Sequence, residues 1–160
     1  MRIVATLEKA IEIAAKAHAG AMDKQGKPYV LHPLRVMVGV EDHNAQIVAV
    51  LHDVVEDTLL SLEDIRAEGF SNGVIEALGL VTHQKDQSYA AYVIACKQND
   101  IARQVKLSDL RDNAKLSRLL LRPDKFDGDS ARIYRYVLSY RFLMDEIAEH
   151  EYRRLMAECG

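Results

Sequence analysis

Residues 45–58 read AQIVAVLHDVVEDT, and this stretch decides the fold. Its first half is apolar on almost every side, which is typical of a helix that is buried all round. Four ionisable side chains then follow within six positions: His52, Asp53, Glu56 and Asp57. Because buried charge is costly unless it is paired or bound to a metal, this cluster predicts a metal ion. A charge cluster on a solvated helix end is the alternative, but such an end does not usually follow a nearly continuous apolar run.

Helical geometry groups the carboxylates of this stretch. At about 100° per residue, Asp53, Glu56 and Asp57 share one face of a helix that continues to Thr58. His52 lies beside that face, one turn from Glu56. An imidazole and a carboxylate, here His52 and Asp53, can bind one cation between them. The carboxylates of Glu56 and Asp57, one turn further along, can then activate or orient a bound water.

Composition limits the partners that we expect. A length of 160 residues predicts one domain, residues 1–160. A net charge of −3 gives no global field for nucleic acid or an anionic membrane, and no apolar run approaches the length of a membrane span. The amphipathic N-terminus does not resemble a secretory signal, and the two cysteines share no metal or redox spacing, so we expect a cytoplasmic protein. The oligomeric state stays open.

The rest of the chain predicts helices and no strand, because no window alternates with period two for long enough. Two long helices are expected, over about residues 99–120 and 131–157. The loop at residues 21–31 leads into His32, which we expect at a helix N-cap. Further N-caps are expected along the chain at Thr6, Asn44, Ser61 and Ser88.

A second polar cluster lies in residues 105–113, which read VKLSDLRDN. Asp109 and Asn113 are one helical turn apart, and Lys106 is one turn before Asp109. Alone, this pattern is typical of an ordinary amphipathic helix. Together with the upstream histidines, it predicts a mixed ligand set: His32, His52, Asp53 and Asp109. Such a set suits Mn, Fe, Co or Ni better than a structural zinc site, and it leaves positions for water and a phosphoryl oxygen.

Three stretches together resemble the HD-domain phosphohydrolases and, more narrowly, the hydrolase domain of RelA/SpoT-type enzymes and the small alarmone hydrolases. They are GKPYVLHP at residues 26–33, LHDVVEDT at residues 51–58, and VKLSD at residues 105–109 with Asn113. The resemblance covers nearly the whole chain. It implies an all-α fold, a single HD-domain helical bundle of about eight helices.

The resemblance also implies an activity and its residues. The enzyme would use Mn²⁺, or another divalent transition metal, to remove the 3′-pyrophosphate of guanosine tetra- or pentaphosphate, a small-molecule nucleotide. By position, the metal ligands are again His32, His52, Asp53 and Asp109. Glu56 and Asp57 would activate or orient the attacking water and manage its proton. The substrate contacts would be Lys24, Asn113, Arg132 and Tyr136.

One position departs from the family pattern. The family loop usually carries Arg before the lysine, where this chain has Asp23-Lys24. That Arg is expected to stack on guanine, and Asp has neither a cation nor a planar fork. An adenine alarmone, or another nucleotide with a 3′- or 2′-phosphate, is therefore an alternative substrate.

Two other functions stay open at this point. One is a different HD-type nucleotide phosphatase or nucleotidase that releases orthophosphate. The other is a non-catalytic regulatory module in which the metal site is a structural staple.

Overall fold

The computed structural model describes residues 4–159, and within them the chain forms ten α-helices, one short 3-10 helix and no strand. The all-α prediction is thus confirmed. The helices are α1 Leu7–Ala17, α2 Leu31–Val38, α3 His43–Leu51, α4 Val54–Asp57, α5 Leu62–Ala67, α6 Asn72–Val81, α7 Tyr89–Lys97, α8 Asp100–Asn113, α9 Phe126–Leu143 and α10 Glu149–Glu158. The 3-10 helix, Pro123–Lys125, directly precedes α9.

Helix α3 is the centre of the fold. It packs against α1, α2, α6 and α8, and its residues from Ile47 to Leu51 are all buried. The prediction of a helix buried all round is confirmed for this element. His52, the residue that follows α3, is buried as well.

Most helix starts follow the expected capping chemistry. The side chains of Thr6, Ser61 and Ser88 accept hydrogen bonds from backbone N–H groups of α1, α5 and α7. The prediction for Asn44 is wrong, because the side chain of Asp42 caps α3 by accepting from the N–H of Ala45. Each such cap satisfies one of the N–H groups that a helix start leaves unpaired.

The predicted continuous helix through the charged stretch is wrong. Helix α3 ends at Leu51, and α4 begins only at Val54. The reason is local: His52 Nδ1 lies 2.7 Å from the carbonyl oxygen of Ala49, which the N–H of Asp53 would use in a continuing α-helix. The turn at His52 and Asp53 therefore separates these residues from the helix that carries Glu56 and Asp57.

The two long helices are also shorter than predicted. Helix α8 ends at Asn113 because the chain turns back there, so that Arg118 reaches the carboxylate of Asp112. Residues six apart on one helix are separated by about 9 Å along its axis, which would prevent that contact.

The last helix is divided into α9 and α10 by a turn in which Asp145 has a φ of 61°. Helix α10 then packs back on α9, where the rings of Phe142 and Tyr152 stack with centroids 4.5 Å apart. The Ser139 hydroxyl and the Tyr152 hydroxyl are 2.8 Å apart in the same contact. Burial of Tyr152 against α9 therefore favours the turn over one continuous helix.

Candidate metal centre

Two histidines and one aspartate from three separate segments meet in the interior. His32 lies in the first turn of α2 rather than at its N-cap, His52 lies in the turn after α3, and Asp109 lies on α8. One atom of each residue lies within 4.8 Å of the others, and all three residues are buried. The Nε2 atoms of His32 and His52 are 3.1 and 3.6 Å from Asp109 Oδ1. This group could hold a divalent metal ion, since its donors are of the types that such ions prefer.

Asp53, the fourth predicted ligand, lies beside this group. Its Oδ2 atom is 3.1 Å from His52 Nε2 and 3.6 Å from His32 Nε2. The hydroxyl of Tyr29 donates a hydrogen bond of 2.5 Å to the same oxygen. Asp53 therefore borders the space between the imidazoles, and Tyr29 holds its carboxylate there.

The hydrogen bonds of the two imidazoles determine which nitrogen faces this space. His52 Nδ1 lies 2.7 Å from the Ala49 carbonyl, and His32 Nδ1 lies 2.7 Å from the Asp112 carboxylate. Both partners accept hydrogen bonds, so each Nδ1 must carry the proton. In the neutral rings, the two Nε2 lone pairs then face carboxylate oxygens, and the buried Nε2 of His52 makes no hydrogen bond. Acceptors that face acceptors need a cation between them, so these residues fit a metal ion.

The pKa values of these imidazoles and carboxylates also reflect their close contact. Burial opposes the charge on His52, but Asp53 and Asp109 outweigh it and raise the pKa of the imidazole well above its usual range. Burial also opposes the charge on Asp109, yet Lys106 and the two imidazoles hold the pKa of that carboxyl well below its usual range. His52 lowers the pKa of Asp53 to about 2 against the effect of burial. The carboxylates are therefore ionised at neutral pH, and the space between them attracts a proton or a metal cation.

Asp109 is held in place on both of its oxygens. The buried ammonium of Lys106 is 2.8 Å from Oδ2, and the amide of Asn113 donates a 2.8 Å hydrogen bond to Oδ1. The ammonium also lies 4.8 Å and 5.3 Å from the ring centres of Tyr92 and Tyr89. Asn113, predicted from the resemblance to contact the nucleotide, thus also orients a candidate ligand.

Glu56 and Asp57 lie on α4 at the rim of the group. They line a cavity of about 240 Å³ that His52, Asp53 and Asp109 also line. Burial, and next to it the charge of Asp53, raise the pKa of both carboxyls above their ordinary values. The backbone N–H of His83 donates to Glu56 at 3.2 Å and orients it. A carboxylate with a raised pKa beside a metal group can accept the proton of an attacking water.

A second cavity, of about 370 Å³, brings together the residues predicted to contact substrate. All four line it: Lys24, Asn113, Arg132 and Tyr136. Four residues line both cavities, so the predicted substrate contacts adjoin the candidate metal ligands: Tyr29, His32, Asn113 and Tyr136. Arg132 is held by Asp129, whose Oδ1 accepts a 2.9 Å hydrogen bond.

Arg118 lines the larger cavity as well, and sequence reasoning missed it. Its guanidinium contacts the carboxylate of Asp112 and lies 3.3 Å from the side-chain oxygen of Asn113. No signal in the sequence identified it, because the predicted helix through residue 120 would have pointed it elsewhere. Asp23 also lines the cavity, and its Oδ1 accepts hydrogen bonds from the N–H groups of Gln25 and Lys27 at 2.8 and 2.9 Å.

The chain is 31% identical over 121 residues to a guanosine-3′,5′-bis(diphosphate) 3′-pyrophosphohydrolase of Aquifex aeolicus, which covers 68% of this chain and 17% of the relative. It is 27% identical over 170 residues to the bifunctional (p)ppGpp synthase/hydrolase SpoT of Escherichia coli, which covers 96% of this chain and 23% of the relative. The resemblance to RelA/SpoT-type enzymes is confirmed. The chain thus spans less than a quarter of the length of these RelA/SpoT-type relatives.

A solved structure of the same type supports the fold. It is described as a metazoan ortholog of SpoT that hydrolyses ppGpp, and it matches 91% of this chain and 97% of its own with a TM-score of 0.60. At 22% identity, this likeness shows that the two chains share the helical-bundle fold. No protein-family model matches the chain. Within residues 4–159, no helix is both long and apolar enough to cross a membrane.

Proposed function

We propose that this chain is a metal-dependent hydrolase that removes the 3′-pyrophosphate of an alarmone nucleotide and releases pyrophosphate, with Mn²⁺ as its metal. One observation carries the proposal: the Nε2 atoms of His32 and His52 face the carboxylate of Asp109 where an acidic and a basic cavity adjoin. The names of the RelA/SpoT-type relatives, which describe removal of a 3′-pyrophosphate, support it.

The four predicted ligands would hold the ion: His32, His52, Asp53 and Asp109. When bound, a divalent ion would supply Lewis-acid chemistry: it would lower the pKa of a water and polarise a phosphoryl oxygen. A set of two imidazoles and two carboxylates, without thiolate, suits Mn²⁺ better than it suits structural zinc. The two imidazoles already present unprotonated Nε2 atoms when neutral, so little rearrangement of the ligands is required.

The carboxylates of α4 would accept the proton of the attacking water. Water attacks the phosphorus that is bonded to the 3′-oxygen, and Glu56 or Asp57 accepts the proton of that water. The bond between this phosphorus and the 3′-oxygen breaks, pyrophosphate leaves, and the 3′-oxygen gains a proton. The raised pKa of both carboxyls suits them to hold a proton during the reaction.

The larger cavity would hold the rest of the nucleotide. Its cations Lys24, Arg118 and Arg132 would bind phosphate oxygens, while Asn113 and Tyr136 would contact the nucleoside. Asp23 occupies the position of the usual base-stacking arginine, so guanine and adenine alarmones both stay candidate substrates.

The experiment is a product assay on the purified chain with Mn²⁺. Guanosine and adenosine nucleotides carrying a 3′-pyrophosphate are incubated with the wild type, Asp53→Ala and Asp145→Asn. Asp145 pairs with Lys97 and Arg103 outside the metal group, and Asn tolerates its positive φ, so this variant is the control. We expect pyrophosphate from the wild type and the control, and no product from Asp53→Ala.

Three results would contradict the proposal. Release of orthophosphate would indicate a nucleotidase or nucleotide phosphatase. No turnover of any of these nucleotides, while calorimetry shows bound Mn²⁺, would reject hydrolysis of an alarmone. Full activity without added metal in the presence of a chelator would reject the metal dependence.

A further inference from the structure

The carboxylate of Asp112 lies outside the predicted ligand set, yet it is among the most enclosed polar groups of the chain. The residue is 3% exposed, near the C-terminal end of α8. Its Oδ2 lies 2.7 Å from His32 Nδ1, and its Oδ1 accepts a 2.8 Å hydrogen bond from Arg35 Nε. Arg118 contacts Oδ2 as well, and Lys115 lies 3.3 Å from Oδ1. These cations keep the carboxylate ionised and fix its orientation toward His32.

We propose that Asp112 is a positioning residue, which holds His32 with Nδ1 protonated and Nε2 free to bind the metal. This inference rests on the proposed metal site and not on the identity of the nucleotide. It concerns a residue that the sequence analysis placed in an amphipathic helix without a role of its own.

The neighbours of His32 Nδ1 make this assignment specific. Arg118 Nη1 is also close to this nitrogen, at 3.2 Å, but a guanidinium only donates hydrogen bonds and cannot receive a proton from Nδ1. Within the described residues, Asp112 is therefore the acceptor that His32 Nδ1 meets. A ring turned to bind metal through Nδ1 would leave the buried carboxylate without its imidazole partner.

The second histidine provides an internal contrast. His52 donates from Nδ1 to the backbone carbonyl of Ala49, which is neutral and which no side-chain substitution removes. His32 instead donates to a full negative charge, which makes its Nε2 a stronger donor to a cation. In both imidazoles Nδ1 is thus hydrogen-bonded and Nε2 faces the candidate site, but only His32 has a side chain as its Nδ1 partner.

The test measures metal affinity without substrate. Isothermal titration calorimetry of Mn²⁺ into the purified chain compares the wild type with Asp112→Asn and Asp145→Asn. Asparagine keeps the shape of Asp112 and removes its charge. Loss of a hydrogen-bond partner to a metal-binding histidine typically weakens metal binding by about 10- to 100-fold, and we expect this for Asp112→Asn but not for the control. An affinity of Asp112→Asn within twofold of the wild type would overturn the inference.

A second measurement does not depend on the folding of that variant. Long-range ¹H–¹⁵N spectra of the wild-type chain loaded with diamagnetic Zn²⁺ report which ring nitrogen of each histidine carries a proton, and His32→Gln assigns the signals. We expect His32 to show a protonated Nδ1 and a metal-bound Nε2; the reverse arrangement would overturn the inference. If the wild type binds no Mn²⁺, the proposed function fails as well, whereas equal binding by the wild type and Asp112→Asn refutes only the role of Asp112.

Discussion

Replacing Asp109 with asparagine should destabilise the metal-free protein through its effect on Lys106. The Lys106 ammonium is 2.8 Å from Asp109 Oδ2, the side chains are only 7% and 8% exposed, and no other carboxylate of residues 4–159 forms an ion pair with this lysine. Removing one partner of a buried ion pair costs about 3–5 kcal/mol, because the remaining charge is left uncompensated. The rings of Tyr89 and Tyr92 stay in place and attract the ammonium, so we expect the low end, about 3 kcal/mol.

The assay is urea unfolding followed by circular dichroism, in the presence of a chelator so that bound metal does not contribute. In thermal unfolding, the same loss of about 3 kcal/mol would lower the Tm by roughly 6–12 °C for a protein of this size. The double variant Lys106→Met/Asp109→Asn should recover most of the loss, because it leaves no buried charge unpaired. Asp145→Asn, which alters ion pairs of an exposed carboxylate, should change the free energy of unfolding by less than about 1 kcal/mol.

Two results would refute this reasoning. One is a loss of less than about 1 kcal/mol in Asp109→Asn, which would mean that water or another group solvates the ammonium of Lys106. The other is a double variant that is no more stable than Asp109→Asn, which would place the cost in the contacts of Asp109 with Asn113 and His32 instead.

Three further predictions concern pH and catalysis. In the protein without metal, the raised pKa of His52 stabilises the fold. This stabilisation is fully present below the pKa of the unfolded chain, about 6.5, and is lost as the pH rises through the pKa of the folded protein. Urea unfolding at several pH values should therefore show that the free energy of unfolding falls less with rising pH in His52→Gln than in the wild type. Glu56→Gln and Asp57→Asn should each lower kcat by about 10²- to 10⁴-fold while calorimetry finds Mn²⁺ affinity nearly unchanged. An unaltered kcat in both variants would contradict the proposed role of these carboxylates as proton acceptors. We expect Lys24 to bind phosphate equally in the ground and transition states, so Lys24→Met should raise KM more than it lowers kcat in steady-state assays. A fall in kcat with KM unchanged would contradict that role.

Much of the site could be predicted because its residues lie in short stretches with an unusual combination of properties. His52 and Asp53 follow an apolar run long enough to show that they are buried, and the structure places them in the interior. His32 and Asp109 are less conspicuous one at a time, and the resemblance to a known family added the argument that these distant residues converge. Their meeting depends on the packing of α2 and α8 against α3, which no single stretch encodes.

The turns at helix ends could not be predicted in the same way. Propensity alone favours a helix through residues 114–120 and another across Asp145, because both regions contain few residues that break helices. Tertiary contacts decide against them: Arg118 turns back to Asp112, and Asp145 pairs with Lys97 and Arg103. Arg118 lines the larger cavity only because of the first of these turns.

The amino-acid sequence by itself determined the all-helical fold, the buried central helix and the types of donor available for a metal, because helical periodicity and the cost of buried charge act over a few neighbouring residues. Tertiary structure alone decided how those donors are oriented. The tautomer of His32 depends on Asp112 of α8, and that of His52 depends on the Ala49 carbonyl in the last turn of α3. The pKa of His52 depends on charges from several elements that pack within a few ångströms of it. Electrostatic interactions in a buried site follow distance in space rather than distance along the chain, so their outcome appears only when the helices have packed.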